Sequence, residues 1–251
     1  RDFTEGRYVV FATRKGIVKK TEFGAYNTPI KADGIIAINI RDDDELVDVR
    51  GTNGEDDIIV VSRSGQAVRF HESEARPMGR DTAGVRGMNV SQKGNWVLAM
   101  DIAREDTELL VVTENGYGKR TAISDYPIKH RGTMGVQTIK LTEKKGALAG
   151  ALIVREHHEL VFISQNGMVQ RTGVEGISLY GRASQGVRVM NLREGDEVSA
   201  VALVMETSAD TAAEVAEELP EAAADNGAEP VDPATDEPSA DASDGSDNGA
   251  P

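Results

Sequence analysis

Thr113-Glu114-Asn115-Gly116-Tyr117-Gly118-Lys119-Arg120-Thr121 is one of four near copies of a single pattern in this chain. Each copy has an apolar, largely β-branched run, a turn glycine and a basic residue four positions after that glycine. The turn glycines lie 49, 51 and 51 residues apart, at Gly16, Gly65, Gly116 and Gly167. A second glycine follows 18 or 19 residues later, at Gly34, Gly84, Gly135 and Gly186. Self-similarity at a period of about 50 residues predicts a propeller or a related array of one supersecondary unit.

The local pattern of each copy predicts β-strands. Asn115-Gly116 and Asn166-Gly167, between apolar runs, are typical of tight β-hairpins. We expect a third strand at each second glycine and a fourth strand after the next polar turn; these strands are 34–40, 84–90, 135–141 and 186–192, then 45–50, 96–103, 147–154 and 197–205. Unbroken apolar runs such as Leu109-Leu110-Val111-Val112 indicate strands covered on both faces. The fold class is therefore all-β, a propeller-like array of four-stranded blades with repeats at about 6–54, 55–105, 106–156 and 157–205.

Charge divides the chain into two unlike parts. Residues 1–205 hold 28 basic and 28 acidic side chains, whereas residues 206–251 hold 14 acidic and no basic ones. The second part has no aromatic residue and is predicted to be a disordered acidic tail. There is no cysteine, and no apolar run approaches the ~18 residues of a membrane span. We expect a cytoplasmic location without membrane contact, and, because the chain opens on Arg1, a fragment of a longer protein.

Basic residues recur in register and form the candidate site. Four positions after the turn glycine stand Lys20, Arg69, Arg120 and Arg171, and Lys19 and Lys119 reinforce two of them. The loop before each second glycine adds Lys31, Arg80, Arg131 and Arg182. Cations at equal steps along an array would follow a phosphate backbone without reading bases. The competing interpretation is that these residues are solvated and paired with the abundant Asp.

No constellation for catalysis is visible. The sequence has no nucleophile elbow, no phosphate-binding loop and no Cys/His pair. Its acidic runs lack the glycine and terminal Glu spacing of a calcium loop, His157-His158 has no nearby carboxylate pair at ligand spacing, and His71 and His130 are isolated loop residues. We expect a non-catalytic chain without a metal or cofactor.

A family resemblance rests on three stretches: residues 113–121, 76–88 (Arg-Pro-Met-Gly-Arg-Asp-Thr-Ala-Gly-Val-Arg-Gly-Met) and 186–192 (Gly-Val-Arg-Val-Met-Asn-Leu). They resemble the blades of the C-terminal domain of the DNA gyrase A subunit, of actinobacterial type. The resemblance implies a β-pinwheel with swapped strands that wraps double-stranded DNA around a basic rim. It also implies a parent enzyme, an ATP-dependent type II topoisomerase of the nucleoid that introduces negative supercoils, with the gyrase A core and gyrase B as partners.

Two features depart from that family. Its members normally have six blades, and four are found here, so the first two are expected to be missing. The gyrase-A box of the first blade is absent, and residues 129–135 (Lys-His-Arg-Gly-Thr-Met-Gly) resemble a degenerate relative without the middle Gly and the Lys. Lys129 joins the candidate DNA-binding residues on this ground. The C-terminal domain of the topoisomerase IV A subunit and a propeller-type protein-interaction module remain open as alternatives.

Overall fold

The computed structural model describes residues 7–29 and 32–204, and within them the regular structure is strands and short 3₁₀ turns. The first repeat contains β1 Tyr8–Thr13, β2 Ile17–Glu22 and β3 Leu46–Thr52. The second contains β4 Asp57–Ser62, β5 Gln66–His71, β6 Val85–Arg86 and β7 Val97–Ala103. The third contains β8 Glu108–Thr113, β9 Tyr117–Ala122, β10 Val136–Gln137 and β11 Leu148–Val154. The fourth contains β12 Glu159–Ser164, β13 Val169–Gly173, β14 Val187–Arg188 and β15 Val198–Val204.

The predicted hairpins are confirmed. β8 and β9 pair antiparallel with Leu110 opposite Arg120, and the other three hairpins share this arrangement. A 3₁₀ turn follows each hairpin, at Phe23–Tyr26, Glu72–Glu74, Ile123–Asp125 and Val174–Gly176. The turn residue Gly116 has φ of 76°, a left-handed conformation that favours glycine. A Cβ at Gly116 would also lie 2.5 Å from the carbonyl oxygen of Met190 in the next repeat, so this glycine permits close packing between repeats.

The expected third strands are wrong in length and in place. Only two residues of each become strand (β6, β10 and β14), and the described part of 32–45 contains none. Each two-residue strand pairs with the hairpin of the preceding repeat, so that β6 joins β2, β10 joins β5 and β14 joins β9. The sheets are therefore β3-β1-β2-β6, β7-β4-β5-β10, β11-β8-β9-β14 and the three-stranded β15-β12-β13. This exchange is the strand swap that the pinwheel resemblance implies.

The core lies between consecutive sheets. One cluster joins Val10 and Val18 of the first sheet to Ile58 and Phe70 of the second. Alternate residues of β4 point the other way, so Ile59 packs against residues of the third sheet. A third cluster joins the other face of the third sheet to the fourth. The middle sheets are thus covered on both faces, which explains their unbroken apolar runs.

The two ends of the array remain open within the described residues. No described strand pairs with the outer edge of β13, where Val169 is 64% exposed. A Cβ at Gly167 would meet nothing within 4 Å, in contrast to Gly116. Gly34, at the opposite end, is equally free, whereas its equivalents are packed against the preceding hairpin.

Candidate nucleic-acid interface

The basic residue four positions after each turn glycine forms a contact between repeats. Arg120 donates to the carbonyl oxygens of Ile177 (2.6 Å) and Glu175 in the next repeat and pairs with Glu108 of its own hairpin at 2.7 Å. Arg69 donates equivalent hydrogen bonds to the Ile123 and Tyr126 carbonyls and forms an ion pair with Asp57. These carbonyls lie at the following 3₁₀ turn, so the guanidinium joins one blade to the next.

Lys20 occupies the equivalent position and also joins its blade to the next one, but it does so through different side chains. Its ammonium lies 2.9 Å from a carboxylate oxygen of Glu72, and both side chains are buried. Tyr8 stands where the other hairpins have Asp57, Glu108 or Glu159, and its ring centroid lies 4.2 Å from the Lys20 nitrogen. Glu72 also accepts hydrogen bonds from the Thr52 hydroxyl and the Gly54 and Asp56 amides. The first and second repeats therefore share a buried ion pair in which both carboxylate oxygens of Glu72 are hydrogen-bonded.

Lys19 and Lys119 are completely buried and bind backbone carbonyls. Lys119 donates to Gly181 at 2.6 Å and Arg182 at 2.7 Å, and Lys19 donates to Ala37 at 2.6 Å and Arg80 at 2.5 Å. Burial of the ammonium, aided by the charge of Arg182, lowers the pKa of Lys119 to about 8. Burial also lowers the pKa of Lys19. Lys119 thereby holds the loop of the following repeat, and Lys19 joins a loop of its own repeat, at Ala37, to the loop of the following repeat, at Arg80.

Five of the cations assigned to DNA binding from the sequence do not face outward, and their burial argues against a direct phosphate contact. Lys19, Lys20, Arg69, Lys119 and Arg120 are at most 6% exposed and bonded inside the protein. A phosphate contact would require them to give up those partners at the cost of burying unpaired groups. Arg171 differs because no described repeat follows it: its side chain is 60% exposed and pairs only with Glu159.

Three basic loops contain the edge strands β6, β10 and β14 of the first three sheets. We call residues 75–92, 126–143 and 177–194 the rim loops. Each has 18 residues, with three basic and one acidic side chain at ordinary ionisation, so each carries a charge of +2. Residues 1–205 as a whole are neutral, which means that positive charge is concentrated on this edge.

Arg80, Arg131 and Arg182 lie in the rim loops and are half-buried. Each guanidinium donates to a carbonyl of the preceding repeat, namely that of Ile36 (3.3 Å), Arg86 (2.9 Å) or Gln137 (3.4 Å). These contacts join successive loops along the edge, and each of the three arginines remains partly exposed. Lys129 is exposed. Lys31 lies outside the described residues.

Sequence reasoning missed five exposed rim-loop cations: Arg76, Arg86, Lys140, Arg188 and Arg193. The repeat pattern does not indicate them, because the equivalent positions are not basic in every repeat. The signal that could have found them is the net charge of each loop, which is equal in all three.

The described residues hold no group of three or more His, Cys, Asp or Glu side chains placed for a metal ion. A search of the same residues found no helix with the length and apolarity to cross a membrane.

These features define a class: an all-β array of strand-swapped blades with a basic outer edge. The model of the DNA gyrase C-terminal domain, a β-propeller family, matches residues 7–53, 56–103, 107–155 and 158–205. The chain belongs to this family.

Curated relatives agree with the family. The chain is 42% identical to the DNA gyrase A subunit of Mycobacterium bovis over 214 residues, 84% of this chain and 25% of the relative. It is 42% identical to that of Staphylococcus epidermidis (81% and 23% covered) and 40% identical to that of Streptomyces coelicolor (80% and 24%). The chain thus spans about a quarter of these relatives.

Solved structures agree as well. A DNA gyrase A C-terminal domain matches with TM-score 0.71 at 27% identity, covering 81% of this chain and 68% of that one. A topoisomerase IV C-terminal domain matches with TM-score 0.78, also at 27% identity, covering 87% and 68%. The fold is common to both enzymes, and the family model and the curated relatives favour gyrase A over topoisomerase IV.

Proposed function

We propose that this chain is the non-catalytic DNA-binding and DNA-wrapping domain of a gyrase A subunit. Its rim loops contact the phosphates of double-stranded DNA without sequence preference. The observation that carries this proposal is the equal +2 charge of three loops in register on a chain whose first 205 residues are neutral. Positive charge at regular steps matches a polyanion whose own charges are regularly spaced.

The geometry of the sheets supports wrapping rather than straight binding. Neighbouring sheets make their closest contacts through the fourth strands, β3 with β7, β7 with β11 and β11 with β15. The two-residue strands β6, β10 and β14 lie at the other edges. Sheets that touch along one edge spread at the other, so the rim loops occupy the convex side. DNA that follows them must bend around the protein.

The residues that we propose to contact DNA differ in part from those assigned from the sequence. Arg80, Lys129, Arg131, Arg182 and the exposed Arg171 remain candidates, now joined by Arg76, Arg86, Lys140, Arg188 and Arg193. Lys31 also remains a candidate, on sequence grounds alone. The five buried cations act instead by holding the loops at fixed spacing.

In the parent enzyme, the wrapped DNA would be presented to the gyrase A catalytic core, with gyrase B supplying ATP hydrolysis for negative supercoiling. The chain itself would need no metal or cofactor and would work in the cytoplasm, at the nucleoid. Its sequence offers no nucleophile with an orienting base, so we propose no cleavage or religation by this chain alone.

Binding of unrelated duplexes at several salt concentrations tests the proposal. Phosphate contacts release counterions, so the logarithm of the binding constant should fall linearly with that of salt, by about 0.9 per phosphate. Affinity should be equal for duplexes of different sequence. Salt-independent binding, or none at low salt, would contradict the proposal and favour the protein-interaction alternative.

A further inference from the structure

Three apolar residues occupy the same place in the three rim loops. Pro77, Ile128 and Leu179 lie 51 residues apart and are all exposed. Ile128 is 59% and Leu179 52% exposed, among the largest values for apolar side chains in the described residues. Scattered exposed apolar residues need no explanation, but three equivalent ones on a charged edge do.

The backbone at these residues is fixed. Each forms a parallel β-bridge with a buried cation of the preceding hairpin: Pro77 with Lys20, Ile128 with Arg69 and Leu179 with Arg120. The amide of the next residue donates to the carbonyl of the same cation, at 2.8 Å for Met78, 2.7 Å for Lys129 and 2.9 Å for Tyr180. The exposed side chains are therefore held on rigid backbone and need little ordering upon binding.

The charge around these side chains indicates which class of molecule they contact. Ile128 is followed by Lys129 and Arg131, and Leu179 by Arg182, within loops of positive net charge. An apolar protein surface would gain nothing from that charge, whereas DNA offers phosphates to the cations and stacked bases to the apolar groups. Proteins that bend DNA insert Ile, Leu, Met or Pro side chains between base steps from the minor groove.

We propose that Ile128 and Leu179, aided by Pro77, act as wedges that enter the minor groove of DNA on the rim and open base steps. The cations hold the duplex, and the wedges localise its bending at the junctions between blades. This inference rests on the proposed DNA-binding function and adds a bending device to it. Wedges of this type kink a duplex by roughly 20–90°.

The test uses the full chain with the double substitution Ile128→Ser and Leu179→Ser. A short duplex carries a fluorophore at each end to report bending and a fluorescent adenine analogue to report unstacking. We expect the variant to retain the salt slope of the unmodified chain and to lose more than half of both bending and unstacking signals. The matched control is Leu46→Ser with Val49→Ser, which removes exposed apolar side chains from β3 and should leave both signals unchanged.

A second variant, Ile128→Met with Leu179→Met, keeps apolar wedges and should bend DNA as the unmodified chain does. Bending and unstacking by the serine variant equal to those of the unmodified chain would overturn the inference, as would an unmodified chain that binds DNA without unstacking it. These outcomes leave the DNA-binding proposal intact. An unmodified chain that fails to bind DNA would contradict both.

Discussion

The ammonium of Lys119 lies 2.6 Å from the carbonyl oxygen of Gly181, so a cation of the third repeat holds the rim loop of the fourth. Lys19 makes the corresponding contact with Arg80. These lysines, whose positive charge suggests DNA contact, instead hold loops in place inside the protein. Stability and DNA affinity can consequently be separated by substitution.

The cation four positions after the turn glycine should contribute to stability only where it is hydrogen-bonded to the following repeat. Arg120→Ala leaves the Ile177 carbonyl and Glu108 without a partner, and we expect it to lower the free energy of unfolding by about 3 kcal/mol. The matched control is Arg171→Ala, whose exposed pair with Glu159 should contribute less than about 1 kcal/mol. Urea unfolding of both variants measures the difference. An equal loss of unfolding free energy in both variants would contradict the role of Arg120 in joining two blades.

The buried carboxylate Glu72 should make stability depend on pH. Burial alone would raise its pKa, but hydrogen bonds from Lys20, the Asp56 amide and Thr52 outweigh burial and lower the pKa below its ordinary 4.5. A lowered folded-state pKa gives stability that is complete above the unfolded value and is lost as pH falls through the folded one. Glu72→Gln should therefore be destabilising at neutral pH, with a difference that shrinks on acidification.

Thermal unfolding of the Glu72 variant across acidic pH checks this, with Glu55→Gln as control because the Glu55 side chain is 89% exposed. A penalty for Glu72→Gln that stayed constant down to strongly acidic pH would show that the ion pair is not its source.

Two turn glycines allow the energetic cost of a left-handed backbone conformation to be separated from the cost of close packing. Gly116 and Gly167 have φ of 76° and 82°, but only Gly116 is packed against the next repeat. Gly167→Ala should cost roughly 1–2 kcal/mol from the left-handed conformation alone. Gly116→Ala should cost about 1–3 kcal/mol more, because the Met190 carbonyl must shift. Chemical denaturation of both variants decides, and identical costs would contradict close packing at this turn.

Hairpins were the most predictable part of the fold, because Asn-Gly and equivalent turns impose them locally. β6, β10 and β14 could not be found in the same way, since each has two residues and forms only against the preceding repeat. The buried cations were misread because Lys and Arg are rarely buried. One clue was present: Asp57, Glu108 and Glu159 each stand 12 residues before the cation they pair with.

The acidic tail, residues 206–251, lies outside the described residues, and its role remains a prediction. With 14 acidic and no basic side chains, we predict that it imitates phosphate and competes with DNA for the rim loops of the same chain. Truncation after Met205 should tighten DNA binding at low salt, and the gain should shrink as salt screens the charges. Titration of both chains against one duplex measures it. Equal low-salt affinities would leave the tail only a solubilising role.

The salt slope of duplex binding distinguishes the accessible rim-loop cations, which bind DNA, from the buried cations, which support the loops. The Arg80→Gln, Arg131→Gln and Arg182→Gln triple variant should lower the slope by up to about 0.9 for each phosphate that the protein no longer neutralises. Folded Lys19→Gln and Lys119→Gln variants should keep the slope of the unmodified chain, although each also loses a cation. If the rim variant kept the slope of the unmodified chain and the lysine variants lowered it, the buried cations and not the rim-loop cations would be the ones that bind DNA.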